Sequence, residues 1–324
     1  MSKPKFAFYW CASCGGCEEA VIDLNEKILD LTAAVDIVFW PVAMDFKYKD
    51  IRSMKKEEID VCFINGAIRT GEQRKMALLF REKSKIVIAF GSCAHLGGIP
   101  GLANFWRRRD IFERVYENVP TVKNPEYILP KVESEVDGYK LNLPEFYDTV
   151  NVIDQTIPVD YYLPGCPPAP KLITDAIDAI LKNKLPQKGS VLAPDKALCD
   201  TCPLTDSKPD KLSIKEIKRP HEIKIDPEKC FLAQGVLCLG PVTRSGCGEC
   251  CINANMPCRG CMGPTKAAMD QGAKAISFIA SILGVENEEN MSDEDVQALI
   301  NQIVDPAGTF YRFSLPYSLL KRKR

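Results

Sequence analysis

Nine of this chain's fifteen cysteines fall between Lys196 and Pro264. They are Cys199, Cys202, Cys230, Cys238, Cys247, Cys250, Cys251, Cys258 and Cys261. Packing needs no such density. Thiolates at short spacings are what an iron–sulfur cluster takes from a protein, and zinc uses the same short gaps. The densest part, GCGECCINANMPCRGC from Gly246 to Cys261, has glycine and proline between its thiols and no long apolar run. It reads as coil wrapped around an inorganic centre. Cys199 with Cys202, and Cys258 with Cys261, form C-x2-C pairs. That gap lets two sulfurs of one tight turn meet one metal centre. Spacing alone leaves both metals open.

Composition narrows the setting. The 324 residues are 46% hydrophobic with a net charge of -1. Such a chain can bury a sizeable core and is long enough for two domains. Near-neutrality gives no support to a nucleic-acid partner. No stretch approaches about 18 continuous apolar residues, so no membrane span is expected. The opening MSKPKFAFYW lacks a signal peptide's apolar core and cleavage site. The expected compartment is therefore the cytoplasm, where so many cysteines do not make a disulfide scaffold. His95 and His221 are the only histidines, which excludes a multi-histidine metal centre.

The elements that position these thiols follow in chain order. KFAFYW, Lys5 to Trp10, is an aromatic-rich strand. CASCGGC, Cys11 to Cys17, comes directly after it. Glu18 to Leu31 then has helical spacing, so the cysteine loop lies between a strand and a helix. In an open parallel sheet, ligands collect beyond the carboxyl ends of strands. Val35 to Trp40, Asp60 to Gly66 and Lys85 to Phe90 are further strands. The last is nearly continuous in apolar residues, as a buried parallel strand should be. Tyr48 to Glu58 reads as a charged, solvated run, and Glu72 to Phe80 as a helix.

Two more cysteine loops follow strand ends. GSCAHLGGIPGL, Gly91 to Leu102, carries Cys93, with Gly97, Gly98 and Gly101 suiting either a mobile loop or a site. His95 suits either a hydrogen bond to a cluster sulfur or an ordinary loop position. YYLPGCPPAP, Tyr161 to Pro170, carries Cys166 between prolines that hold the backbone extended. If these loops share one sheet edge, Cys14, Cys17, Cys93 and Cys166 can bind one cluster. A helix is expected from Asn104, with Arg107, Arg108 and Arg109 on a solvated or inter-subunit surface. Pro120 to Pro144 reads as an extended insertion, and Lys171 to Leu181 as an amphipathic helix. Pro186 to Gly189 is a hinge. Helices are expected over Gly263 to Leu283 and over Met291 to Ile303, the second with Ser292 as N-cap and Glu294 in its first turn. Asp305 to Arg324 reads as irregular, with a solvated KRKR end. The fold class is α/β, a parallel-sheet domain over 1–185 and a largely irregular, helical, cysteine-rich domain over 186–324.

CASCGGC, GSCAHLGG, PGCPP and CLGPVTRSGCGECC…PCRGC, in that order, resemble the small, electron-transferring subunit of nickel–iron hydrogenases. The likeness covers both domains. It is greatest to the cytoplasmic, methanogen-type branch, and within it to the viologen-reducing enzyme that does not use the deazaflavin coenzyme. The resemblance implies a flavodoxin-like first domain and three 4Fe–4S clusters. The inner cluster would use Cys14, Cys17, Cys93 and Cys166. The middle one would use Cys247, Cys251, Cys258 and Cys261, where many periplasmic relatives have three cysteines and a three-iron cluster. The outer one would use Cys199, Cys202, Cys230 and Cys238, with Cys199 where many relatives have histidine. Glu18 falls where the family commonly has an acidic residue, implying a place near the large subunit, although an exposed helix-start carboxylate fits the sequence as well.

Three such clusters consume twelve thiols and leave Cys11, Cys62 and Cys250. Cys62 reads as a buried small hydrophobe. Cys11 could exchange roles with Cys14, though C-x2-C suits Cys14 and Cys17 better. The two C-x2-C motifs that bind nickel and iron in the family's large subunit are not present, the chain's own pairs being taken by clusters, so the resemblance implies that hydrogen is split on a large-subunit partner. It further implies a small iron–sulfur adaptor and heterodisulfide reductase as electron acceptors. The rival class is a nucleotide-binding flavodoxin-like protein with zinc-stabilised appendages. The missing G-x-G-x-x-G after the first strand counts against it. A structural interaction module is the third option, and the cysteine count disfavours it most.

Overall fold

In the computed structural model, residues 3–283 and 292–321 are described. Short apolar strands alternate with helices through the first half of the chain. The strands are β1 (Lys5–Trp10), β2 (Asp36–Phe39), β3 (Ile59–Asn65), β4 (Ile68–Thr70), β5 (Ser84–Phe90), β6 (Glu133–Val136), β7 (Tyr139–Asn142), β8 (Phe146–Asn151) and β9 (Tyr161–Leu163). Five of them form one parallel sheet in the order β2-β1-β3-β5-β9. Side chains alternate across its two faces with period two. Phe6, Phe8, Phe63 and Phe90 face the helices Gly16–Ile22, Lys27–Ala34 and Pro170–Leu181. Ala7, Tyr9, Cys62 and Ile64 face the helix Gly71–Lys83. Burial of each large apolar side chain contributes roughly 1.5–3 kcal/mol, so this double-faced core dominates the fold's stability.

Several expectations are corrected. The helix expected over Glu18 to Leu31 is two helices, because Asn25 takes φ 53° and breaks the run. The run from Tyr48 is not merely solvated: Tyr48–Ser53 is helical and buries Ile51 completely. The helix expected from Asn104 begins at Arg108. Asn104 itself is buried, donating to the Val150 carbonyl at 3.0 Å and accepting from its N–H at 2.8 Å. The late helix begins at Gln271, where Asp270 caps it by accepting from the Ala273 N–H at 2.9 Å. Ser292 does cap the helix Asp293–Asn301, and Glu294 lies in its first turn. Met291 and the last three residues of KRKR after Lys321 lie outside the described residues.

The second half has isolated bridges in place of named strands. Its core gathers Leu198, Phe231, Ile252, Ile279, Phe310 and Leu315. The expected hinge is tied down: the Gly189 N–H donates to Asp160 O at 2.7 Å, and the Leu192 N–H to Tyr162 O at 2.7 Å. The tail is ordered where irregular chain was expected. Pro306–Phe310 is helical, and the segment after it packs onto the first half. There the Gly98 N–H donates to Phe313 O at 3.0 Å. Among the described residues, no helix is long and apolar enough to cross a membrane.

Candidate metal centres

Parallel strands bring distant loops to one edge. β1 leads into Cys14 and Cys17, β5 into Cys93, and β9 into Cys166, which precedes the cis peptide to Pro167. Two glycines make room for this approach. A Cβ at Gly91 would lie 2.4 Å from the Cys17 sulfur, and one at Gly98 would lie 2.4 Å from the Cys93 sulfur. The glycine loop is therefore part of the site and is wedged in place, since Cβ atoms at Gly97 and Gly101 would lie 2.2 Å and 2.5 Å from Pro316. Burial, then the neighbouring Cys93, Cys166 and Cys14, push the Cys17 thiol up. Burial, then Cys166 and Cys14, push Cys93 up to about 12. Cys14, Cys93 and Cys166 thus all act on Cys17.

The candidate outer thiols Cys199, Cys202, Cys230 and Cys238 line one cavity, walled by Leu198 and Phe231. Burial, then Cys238, push Cys199 up to about 12. Burial pushes Cys238 up to about 11, opposed by the Gly240 and Cys258 N–H groups aimed at its sulfur.

The candidate middle thiols are built from the turn around Cys247 and the PCRGC loop. Burial raises Cys261 to about 12, opposed by the Cys166 N–H, with Cys247, Cys166 and Cys251 adding to the rise. Burial, then Cys238 and Cys261, raise Cys258. The Cys250 thiol donates to Cys247 O at 2.9 Å.

A single zinc ion holds its sulfurs at about 2.3 Å, all converging on one point. Among the described residues, no three Cys, His, Asp or Glu side chains converge that closely. The thiols lie among apolar walls, with backbone N–H groups directed at several of their sulfurs. Those are the features that hold and tune an iron–sulfur cluster.

The remaining expected residues are placed as follows. Cys11 and Cys62 lie together in the core on the opposite sheet face from Cys17, so Cys11 is not positioned to exchange with Cys14. Glu18 is not an exposed carboxylate; it is 1% exposed and accepts hydrogen bonds from Trp40 Nε1 and Asn65 Nδ2. Burial raises it to about 7 against those two bonds. His95 packs on Tyr162 with tilted rings whose centroids are 4.5 Å apart, and no hydrogen bond from its ring to a sulfur is found among the described residues. Burial, then Arg244, lower it to about 3. Arg109 pairs with Glu113 at 2.5 Å on an exposed surface.

Sequence reasoning missed the polar frame of the middle loop. Gln271 Nε2 donates to Gly260 O at 3.0 Å, and buried Arg244 donates to Pro194 O at 2.9 Å and pairs with Asp195 at 3.0 Å. The Arg-Ser-Gly-Cys run ahead of Cys247 was the only available signal.

Residues 14–180 match the family described as NADH ubiquinone oxidoreductase, 20 Kd subunit. The chain is 41% identical to the iron-sulfur subunit of the F420-non-reducing hydrogenase of Archaeoglobus profundus, over 98% of each chain. The chain belongs to the family of F420-non-reducing hydrogenase iron–sulfur subunits. The corresponding hydrogenase subunit of Methanothermobacter thermautotrophicus is 38% identical, over 99% of this chain and 97% of its own. The NiFeSe hydrogenase of Desulfovibrio vulgaris Hildenborough superposes with a TM-score of 0.53 at 18% identity, covering 82% of this chain and 94% of that one. That likeness concerns the fold alone. This hydrogenase subunit is thus a component of an oxidoreductase, with the parallel α/β sheet expected of it.

Proposed function

We propose that this chain relays electrons from hydrogen, split on a nickel–iron large-subunit partner, through three 4Fe–4S clusters to a small iron–sulfur adaptor and heterodisulfide reductase. Residues 1–185 would carry the inner cluster and 186–324 the middle and outer ones. The observation that carries this reading is the serial arrangement of the thiols. The Cys166 N–H is aimed at the Cys261 sulfur, joining the inner set to the middle. The Cys258 N–H donates to the Cys238 sulfur at 3.3 Å, joining the middle set to the outer.

Cys14, Cys17, Cys93 and Cys166 would hold the inner cluster. Cys247, Cys251, Cys258 and Cys261 would hold the middle one, and Cys199, Cys202, Cys230 and Cys238 the outer one. Clusters of this kind, when bound, accept and release single electrons. The chain's residues supply spacing, dry walls and N–H groups that stabilise sulfur charge. Burial raises the thiol pKa of Cys17, Cys93, Cys199, Cys238, Cys258 and Cys261, so loading iron on these thiols releases protons, since thiolates are the ligands. The proposed compartment is the cytoplasm, in keeping with cysteines that are all free.

Anaerobic iron and acid-labile sulfide assays test the reading. Three cubane clusters require about twelve irons per chain. About four irons per chain, or zinc in stoichiometric amount, would overturn it.

A further inference from the structure

The second half of the chain contains a cleft that the cysteine sets do not fill. Its volume is about 580 Å³, and its walls come from residues 217–221, 256–259 and 302–312. Lys218, Arg219, His221, Arg259 and Arg312 line it, against the single carboxylate Asp305. The chain as a whole carries a net charge of only -1, so this is a local concentration of positive charge. Glu216 offsets Lys218 from 3.0 Å, and Glu222 lies 4.0 Å from His221. The guanidinium groups of Arg219 and Arg259 have no hydrogen-bond or ion-pair partner among the described residues. Arg312 donates through Nε to Gly308 O at 3.1 Å. Burial, then Arg259, hold its pKa below the usual guanidinium range, with Asp305 opposing. Like charges held together in this way favour an anion between them.

The rest of the lining says which kind of anion. Buried Ile217, Leu239, Pro257 and Ile303 form an apolar floor, and exposed Met256 and Val304 lie at the rim. Phe, Tyr and Trp are absent from its lining, so a nucleotide base meets no large aromatic face, and no glycine lines it to build a phosphate cradle. An extended acidic chain with some apolar side chains matches both the floor and the rim. Methionine on such a rim adapts to a partner's shape. Cys258 lines the cleft, and Leu239 beside it follows Cys238 in the chain. A segment seated here lies against Cys258 of the middle set, whose N–H donates to the sulfur of Cys238 in the outer set.

We propose that this cleft is the docking groove for an acidic segment of the protein that accepts this subunit's electrons. The inference rests on the relay reading above, because only then do Cys258 and Cys238 mark an electron exit. It places the acceptor on the Cys238 and Cys258 side of the outer set.

The test uses the intact hydrogenase complex with wild-type chain and with an Arg219→Glu, Arg312→Glu double variant. Iron content and melting temperature show whether the variant has folded and loaded, and Arg219→Glu alone serves if the double variant has not. A fluorescein-labelled oligoglutamate probe should bind wild type at low salt and lose about tenfold in affinity in the variant, with both weak at high salt. Hydrogen-driven reduction of an acidic ferredoxin, divided by the rate with methyl viologen, should fall by about the same factor. Equal oligoglutamate affinity in the two proteins would overturn the proposal. So would an unchanged ferredoxin-to-viologen ratio, or inorganic phosphate displacing the probe at a matching affinity. A wild-type complex without iron overturns the relay reading instead, and the oligoglutamate comparison still decides whether the groove binds an acidic chain.

Discussion

Cys250 and Cys251 are neighbours in the chain with different surroundings. Cys250 is engaged with Cys247 O, while Cys251 lies within electrostatic reach of Cys261. Replacing Cys251 with alanine should therefore lose or convert the middle cluster, removing about one to four irons. Cys250→Ala should keep the full iron count. Iron analysis with low-temperature magnetic resonance distinguishes them, and the reverse pattern would sink the assignment. A second residue-scale prediction concerns Gly98, which takes φ 57° and leaves no room for a Cβ beside Cys93. Gly138 takes φ 80° but has nothing within 4 Å. Alanine costs about 1 kcal/mol of backbone strain at Gly138 and about 1–3 kcal/mol at Gly98, whose φ 57° and ψ -159° suit glycine alone, yet only Gly98→Ala should lose inner-cluster iron. Equal iron in both variants would mean that the close approach is unimportant. The cysteines were legible in sequence because thiol spacing is local. The burial of Glu18 was not, because Trp40 and Asn65 reach it from elements 22 and 47 residues away.

At the scale of elements, strands were easier to read than helix ends. Apolar runs such as Lys85–Phe90 announce a buried parallel strand. Helix ends depend on single residues, as Asn25 and Asp270 demonstrate. The expected hinge lies against Asp160, beside the edge strand of the sheet, a contact that its own sequence does not announce. Asp160 pairs with Arg81 at 2.6 Å and with Lys188 at 2.7 Å, and accepts from the Val87 N–H at 2.8 Å. Burial alone would raise this carboxyl, but the hydrogen bonds from Lys188, Arg81 and Val87 outweigh it and hold it below its ordinary value. A depressed carboxylate pKa gives stability that is full above the unfolded value of 3.8 and is lost as pH falls through the folded value. Asp160→Asn should therefore cost about 2–3 kcal/mol at neutral pH. The gap between variant and wild type should close below about pH 4. Denaturant titrations across pH check this, and a constant gap would remove Asp160 as the cause.

Across the whole molecule, three sets of thiols lie in series, and removing the last should separate two activities. In the assembled enzyme, Cys202→Ser should leave hydrogen–deuterium exchange largely intact, because that needs only the partner's metals. Hydrogen-driven reduction of the downstream protein should fall sharply. Normal reduction without the outer cluster would show that electrons leave by another route. The serial order could be guessed only through family likeness, since nothing local reports that Cys261 meets Cys166 or that Cys258 meets Cys238. The packing of Pro316 against Gly97 and Gly101 was equally hidden, and it bears on how the protein is made. A chain growing from its N-terminus has all four inner thiols once Cys166 emerges. It lacks the wedge that fixes the Cys93 loop until residues 313–316 are added. A polypeptide stopped after Phe310 would keep every candidate ligand but lack the residues that wedge the Cys93 loop in register.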